Sequence, residues 1–142
     1  MREDVRQALL TRPLSSLGDR TIDITTTGRR SGEPRRIEIV FYRFEGSIYL
    51  TGIPTDRPRS WLLNLAAEPS FTFHLKKGVV ADLPATATVI TDPAERRRIL
   101  SPFVEQFNQR RDPSGPYPEA VLEEWVERSP LARISFPEAD AQ

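Results

Sequence analysis

The residues best suited to chemistry lie in one short segment, residues 25–36. It holds four arginines and two glycines: Arg29, Arg30, Arg35, Arg36, Gly28 and Gly32. Glycines let the backbone turn so that successive N–H groups point inward and form a nest for an anion. Arginine adds paired donors that match phosphate and carboxylate, and Ser31 adds a hydroxyl. The segment therefore predicts a site for a ligand that carries phosphate and carboxylate groups.

Two other interpretations of this basic segment remain open. In the first, it is a solvated hairpin whose arginines pair with Glu33 and Glu38, since runs of charge are usually exposed. In the second, it binds nucleic acid, but base stacking needs aromatic side chains among the basic ones, and this turn has none. The formal net charge is zero, so no global field favours nucleic acid either. We expect no nucleic-acid partner.

A second segment, residues 56–65, has the features of a helix start. Asp56 can cap a helix and Pro58 suits its first turn. A helix N-terminus offers free N–H groups and partial positive charge, against which the carbonyl oxygens of a heterocycle could dock. Ser60 and the backbone amides are the candidate site, whereas Trp61 and Leu65 are expected to anchor the helix in the core.

The sequence lacks the usual residues for covalent or metal catalysis. It has no cysteine and a single histidine, His74, and its acidic residues are scattered. This excludes thiol chemistry, disulfides and thiolate metal sites, and no metal site is expected. By alternation His74 points away from Phe71, Phe73 and Leu75, as an ordinary sheet residue would. If the protein is an enzyme, a cofactor carries the reaction.

The pattern of apolar residues predicts one domain, residues 1–142, that is mainly β with a few flanking helices (α+β). Six strands are expected near residues 20–27, 37–42, 48–53, 71–77, 85–91 and 131–136. Helices are expected at residues 3–11, within an N-terminal helical extension over 1–19, and at residues 61–66, from residue 93, and at 121–126. Residues 137–142 read as a flexible tail. Short strands with local connections favour a closed or partly closed antiparallel barrel, which removes exposed strand edges.

The sequence also bears on location. No apolar run approaches the ~20 residues of a membrane-spanning helix. The first residues, Met1 to Asp4, carry mixed charge instead of a basic start followed by an apolar stretch. We therefore expect a cytoplasmic protein with no membrane span.

The two chemistry-bearing segments, taken together and in this order, resemble the deazaflavin (F420)-dependent nitroreductase and F420H2-dependent quinone reductase family. The similarity rests on residues 25–35 and 61–69, the following strand from Phe71 to Lys77, and the stretch Asp82-Leu83-Pro84-Ala85. It implies a six-stranded antiparallel split β-barrel of the pyridoxamine-phosphate-oxidase type. It also implies coenzyme F420, which carries a phosphodiester and an oligoglutamate tail, with FMN as the alternative cofactor.

The resemblance implies a cofactor role for twelve residues, carried over by position. Arg29, Arg30, Ser31 and Arg35 would hold the phosphate and tail; Thr51, Gly52 and Ile53 would line the ring system; and Ser60, Trp61, Leu62, Leu63 and Asn64 would place helix amides against the ring carbonyls. Tyr117 is the candidate catalytic residue, orienting or protonating the acceptor. The sequence departs from the family in its shorter loop after the third strand, which lacks lysine, and in having Tyr117 where the family has several tyrosines.

The function implied by the resemblance is that of an oxidoreductase. It would transfer a hydride between reduced F420 and a quinone-like, nitro or conjugated small-molecule acceptor. The alternatives are a non-catalytic module that binds or carries the deazaflavin, and an FMN-binding protein of the same fold. Partners are expected to be the cofactor and the acceptor, and barrels of this type often pair as homodimers.

Overall fold

The computed structural model describes residues 1–10 and 20–137. In this part of the chain, four helices and six strands follow one another. In chain order they are α1 (Glu3–Leu10), β1 (Thr21–Thr27), β2 (Pro34–Phe44), β3 (Ser47–Thr51), α2 (Ser60–Ala67), β4 (Ser70–Leu75), β5 (Ala81–Val89), α3 (Pro93–Arg110), α4 (Leu122–Arg128) and β6 (Leu131–Ser135).

The strands form a closed barrel in the order β1-β2-β3-β6-β5-β4. Every neighbouring pair is antiparallel, and β4 returns to pair with β1, with Ile24 opposite Phe73. The predicted six-stranded antiparallel barrel with flanking helices is therefore confirmed. Because β4 pairs with β1, the helix that directly precedes β4, α2, lies beside the β1–β2 hairpin.

The barrel interior is filled by alternate residues of each strand. Ile22, Ile24 and Phe41 are almost completely buried, at 0–1% exposure. The Phe73 ring packs edge-on against Phe41 and against Phe136, with centroids 5.8 and 5.2 Å away. Alternation with period two predicts this inward set, because successive side chains of a strand point to opposite faces.

A second apolar layer covers the outer face of β2 and β3. Tyr42 and Tyr49 face outward there and pack with the buried residues of α3 and α4. Phe103 of α3 contacts Tyr42 and Trp125, with ring centroids 4.9 and 5.4 Å apart. The start of α3 is as predicted, since the Asp92 side chain accepts a hydrogen bond from the Glu95 N–H at 3.0 Å.

Two strands begin earlier than predicted. β5 starts at Ala81, not Ala85, and includes Pro84 opposite Thr72. Proline has no backbone N–H to donate to a neighbouring strand. It is tolerated at position 84 because β5 pairs with β6 only from Thr86 onward, so no hydrogen bond to β6 is lost. β2 starts at Pro34 because the arginines of the basic segment pair with the threonines that end β1.

His74 is a structural residue of the sheet, as its position in β4 predicts. Its side chain lies on the outer face of the barrel and is 7% exposed. One ring nitrogen lies 2.7 Å from Asp82 Oδ1 and the other 2.7 Å from Thr25 Oγ1. Both nitrogens are thus satisfied within the β1–β4–β5 sheet.

The predicted N-terminal helix is confirmed as α1, whereas the rest of the extension, residues 11–19, and most of the predicted tail, residues 138–142, lie outside the described residues. None of the helices in the described ranges has the length and apolar character needed to cross a membrane.

Arg96 joins α3 to the end of α4 through hydrogen bonds, and its replacement should therefore lower the stability of the fold. Its guanidinium donates to the carbonyl oxygens of Ile90, Trp125, Val126 and Ser129 at 2.8, 3.3, 2.6 and 2.5 Å. Arg96→Met should lower the free energy of unfolding by about 3 kcal/mol, since several carbonyls lose their donor in a buried position. The measurement is urea unfolding followed by tryptophan fluorescence.

The neighbouring Arg97→Met variant is the control for this prediction. Arg97 is exposed and pairs with Glu123 on the surface, so its loss should leave the unfolding midpoint nearly unchanged. Equal midpoints for the two variants would contradict a structural role for Arg96.

Candidate functional site

The turn between β1 and β2 is a compact backbone loop. The Gly28 N–H donates to the Glu33 carbonyl, and the Gly32 N–H donates to the Gly28 carbonyl, both at 2.8 Å. Gly32 has φ +72°, which favours glycine, and a Cβ on Gly28 would lie 2.6 Å from Ser31 Oγ. Ser31 Oγ accepts from the Glu33 N–H at 3.1 Å and from Arg35 Nη2 at 3.4 Å. The predicted glycine-dependent turn therefore forms.

Asn64 of α2 fixes this turn to the barrel. Its Oδ1 accepts from the Arg29 N–H at 3.1 Å and from Arg29 Nη1 at 3.0 Å. Its Nδ2 donates to Thr26 Oγ1 at 3.2 Å. The side chain is buried, with Asn64 at 5% exposure, so these bonds are shielded from competition by water. One amide thus holds both the hairpin backbone and an arginine head group.

The hairpin and α2 line an open cavity of about 590 Å³, here called the arginine cavity. It brings together seven of the predicted cofactor residues: Arg29, Arg30, Ser31, Arg35, Ser60, Trp61 and Asn64. Four further residues line it that the sequence analysis did not assign to the site: Thr26, Gly28, Ile37 and Arg59. Thr26 and Gly28 belong to the basic segment, but the sequence predicted them only as parts of its turn.

The charge in the arginine cavity is uncompensated. Within the described ranges, no carboxylate forms an ion pair with Arg29, Arg30, Arg35 or Arg59. The pairing of the hairpin arginines with Glu33 and Glu38 is therefore absent from the described residues, although residues 29–36 are exposed, as the solvated-hairpin alternative expected.

The acidic residues near the base of the hairpin are committed elsewhere. Asp23 accepts from Lys76 at 2.7 Å and from Arg36 at 3.0 Å, and Glu38 also pairs with Lys76. The hydrogen bond from Lys76 is the main reason that the pKa of Asp23 is lowered. Arg36 is therefore neutralised on the outer face, whereas the arginines of the cavity keep their full charge.

Arg59 is a functional candidate that the sequence analysis missed. Its Nη2 donates to the Ile53 carbonyl at 3.0 Å, but its buried Nε has no hydrogen-bond partner in the described part of the chain. A Cβ on Gly52 would lie 3.2 Å from that Nε, so glycine gives the guanidinium its room. The sequence does contain a signal for it, because Arg59 lies within residues 56–65, directly before the first residue of α2.

The first turn of α2 presents free donors to the arginine cavity. The N-cap is Arg59, and no side chain caps the helix. The Leu62 and Leu63 N–H groups donate to the Arg59 carbonyl at 3.1 and 3.2 Å. The N–H groups of Ser60 and Trp61, which precede them, have no acceptor within the helix and lie at its positive end. The predicted Asp56 cap is wrong, because Asp56 pairs with Arg128 at 3.1 Å instead.

The structure does not bring the remaining predicted residues into the arginine cavity. Thr51 is buried and donates to the Pro130 carbonyl at 2.7 Å, and Gly52 and Ile53 contact the site only through Arg59. Leu62 lines a second cavity, and Leu63 lines neither. Tyr117 is 53% exposed and packs on Phe107 with centroids 6.4 Å apart, outside both cavities.

The described residues contain no group of three or more histidines or carboxylates placed to hold a metal ion. The arrangement is instead suited to an anionic ligand with a ring, because guanidinium groups and helix amides converge on one side and Trp61 and Ile37 provide apolar walls.

Comparison with solved structures gives the fold relatives of this chain. An F420-H2-dependent reductase shares 21% identity over 82% of this chain and 94% of its own, with a TM-score of 0.56. A second F420 reductase shares 18% identity over 92% and 91%, with a TM-score of 0.57. A protein described as a pyridoxamine 5′-phosphate oxidase from Listeria innocua shares 11% over 83% and 84%, with a TM-score of 0.55. These likenesses establish the split-barrel fold.

Comparison with protein families extends this from fold to activity. The family described as F420H(2)-dependent quinone reductase matches residues 8–112, a range that contains β1 to β5, α2 and the whole arginine cavity. The chain therefore belongs to the F420H2-dependent quinone reductase family, and it is an oxidoreductase whose cofactor is coenzyme F420.

Proposed function

We infer that the protein binds reduced F420 in the arginine cavity and reduces a quinone-like acceptor. One observation carries this proposal: four guanidinium groups without carboxylate partners in the described residues converge with the free end of α2 on one cavity. Arg29, Arg30 and Arg35 are exposed, so water solvates them in the free protein, and an anion that contacts several of them at once replaces that solvation with charge-assisted hydrogen bonds.

The residues present fit the anionic half of F420. A phosphodiester and a glutamate tail each need paired donors, which Arg29, Arg30 and Arg35 offer at the hairpin. A Cβ on Gly28 would meet Ser31 Oγ and the Glu33 carbonyl, so glycine keeps the hairpin turn tight and holds Ser31 and Arg35 close together. Arg59, whose Nη2 is held by the Ile53 carbonyl, adds a fourth positive charge to the lining of the cavity.

The protein's own residues contribute binding and orientation. When bound in its reduced form, F420 supplies a hydride, and a quinone that takes this hydride and one proton from solvent leaves as the hydroquinone. Arginine is the sole titratable residue type in the lining of the arginine cavity, and it stays protonated. The chain therefore binds and orients the cofactor, without acid–base groups of its own in this cavity.

The predicted role of Tyr117 in orienting or protonating the acceptor stays a prediction, since its ring lies on Phe107, away from both cavities. A non-catalytic carrier would share the cavity but would not turn over. Steady-state reduction of menadione by the protein with reduced F420 distinguishes the two, because a carrier gives none.

The first test of the arginine cavity is a fluorescence titration with F420 and with FMN. We expect F420 to bind more tightly, because its tail carries additional carboxylates. The double variant Arg29→Ala/Arg35→Ala should weaken F420 binding about a hundredfold, since two charge-assisted contacts are lost. Thermal unfolding of the ligand-free protein should change little, because the backbone N–H of residue 29 still donates to Asn64 Oδ1 in the variant and the Arg35 side chain is exposed.

Arg97→Ala/Arg98→Ala provides the control with the same loss of charge. Both residues are on the exposed side of α3, paired with Glu123 and with Glu95 and Glu45, and F420 affinity should be retained. Parallel loss of affinity in both double variants would mean that net charge, and not the cavity, attracts the cofactor.

Asn64 allows charge and geometry to be separated. Asn64→Asp keeps an oxygen for Arg29 but adds a carboxylate beside it, so F420 binding should weaken about tenfold. Asn64→Leu removes the bonds to Arg29 and Thr26 and should also lower the free energy of unfolding by about 2 kcal/mol. Titration and urea unfolding of both variants check this, and unchanged affinity in Asn64→Asp would argue against an anion beside Arg29.

A further inference from the structure

Arg59 differs from the other arginines of the arginine cavity. Arg29, Arg30 and Arg35 are exposed on the hairpin, whereas Arg59 is half-buried at the start of α2. Its Nη2 donates to the Ile53 carbonyl at 3.0 Å, so the loop between β3 and α2 fixes the position of its guanidinium. A group that the fold already holds in place loses less freedom on binding a ligand than an exposed side chain does.

Gly52 determines how this guanidinium is oriented. A Cβ on Gly52 would lie 3.2 Å from Nε of Arg59 and 3.5 Å from both Cζ and Nη2. Three such similar distances place this position to one side of the guanidinium plane, since an atom within the plane would lie distinctly closer to nitrogen than to Cζ. One face of the guanidinium is therefore turned toward the Gly52 backbone.

The rest of the guanidinium is available to a ligand. Arg59 belongs to the lining of the arginine cavity. Since Gly52 covers one face and the Ile53 carbonyl holds Nη2, the cavity meets the opposite face and the other terminal nitrogen, Nη1. A planar cation of this kind stacks on aromatic rings, most strongly where water is displaced. Trp61 and Ile37 add apolar surface to the same lining.

The arginine cavity has two different ends. Asn64 holds Arg29 at the hairpin end, where the exposed arginines and Ser31 gather. Arg59 precedes Asn64 by five residues, which corresponds to about 7.5 Å along a helix. An anionic group at the hairpin and a planar ring at Arg59 can therefore be occupied by two parts of one elongated ligand.

We propose that the Arg59 guanidinium is a stacking platform for the planar ring of F420, while the hairpin arginines hold the anionic half of the cofactor. This inference rests on the proposed function, because it takes the arginine cavity as the cofactor site. The guanidinium covers one face of the ring, so the opposite face stays open for direct hydride transfer to the acceptor.

Arg59→Lys tests this role, because lysine keeps the positive charge but has no planar face. The visible absorption band of F420 should shift on binding to the wild type, and Arg59→Lys at saturation should reduce that shift by at least half. The Kd for F420 should rise about tenfold. Arg57→Lys is the matched control and should change neither quantity, since Arg57 is exposed in the same loop and lines neither cavity.

The deazariboflavin fragment of F420, which lacks the phosphodiester and the tail, separates the ring from the anion. It should bind the wild type more weakly than F420 does. Arg59→Lys should raise the Kd of the fragment about tenfold, whereas Arg29→Ala/Arg35→Ala should leave it unchanged while weakening F420. The measurement is a fluorescence titration of the fragment with each protein.

Gly52→Ala displaces the platform without changing any charge. Gly52 is not among the glycines with positive φ, so alanine fits the backbone there, but its Cβ would press on the guanidinium. The absorption shift should decrease and the Kd of the fragment should rise about threefold. This variant keeps Arg59 itself and so separates the orientation of the guanidinium from its presence.

Several results would overturn the proposal even when F420 binds. They are an unshifted absorption band in the wild type, an equal shift in Arg59→Lys, and a wild type that does not bind the fragment. Equal loss of fragment affinity in Arg59→Lys and in the hairpin double variant would also refute it, because the ring would then depend on the hairpin. Failure of the wild type to bind F420 would instead remove the proposed function itself.

Discussion

The site depends on one buried amide. Asn64 binds the backbone and guanidinium of Arg29 through its oxygen and Thr26 through its nitrogen. Because all three contacts are buried or partly buried, breaking them would strand polar groups away from water. The hairpin and α2 are distant in sequence but are held in one geometry, so the cationic cavity exists before a ligand arrives. A cavity formed in advance lowers the ordering cost of binding.

The distribution of paired and unpaired charges around Asn64 then determines what each side of the hairpin can bind. On the outer face, Asp23 and Glu38 are matched by Lys76 and Arg36. On the inner side of the hairpin no such matching occurs among the described residues, and the charge is available to a ligand. The inner side of the hairpin is therefore the surface suited to an anion.

Much of this could be predicted from local patterns. Alternation located the six strands, and glycines with arginines located the turn, because both are properties of neighbouring residues. The arginine cavity as a whole could not be found in this way, since it forms where the hairpin and α2, which are distant in sequence, are brought together. The predicted Asp56 cap failed for the same reason, as Arg128, which is remote in sequence, holds that carboxylate. Residue types therefore predicted the charge of the ligand, whereas the shape of the cavity and its further lining residues depend on tertiary structure.

The central claim is that the hairpin arginines form an anion site prepared by the fold. A crystal structure of the protein soaked with F420 tests it most directly. The account predicts phosphate and tail oxygens within hydrogen-bond distance of Arg29 and Arg35, with the Asn64 contacts to Arg29 retained. A structure in which the cofactor lies elsewhere, with these guanidinium groups bound to neighbouring carboxylates, would contradict it.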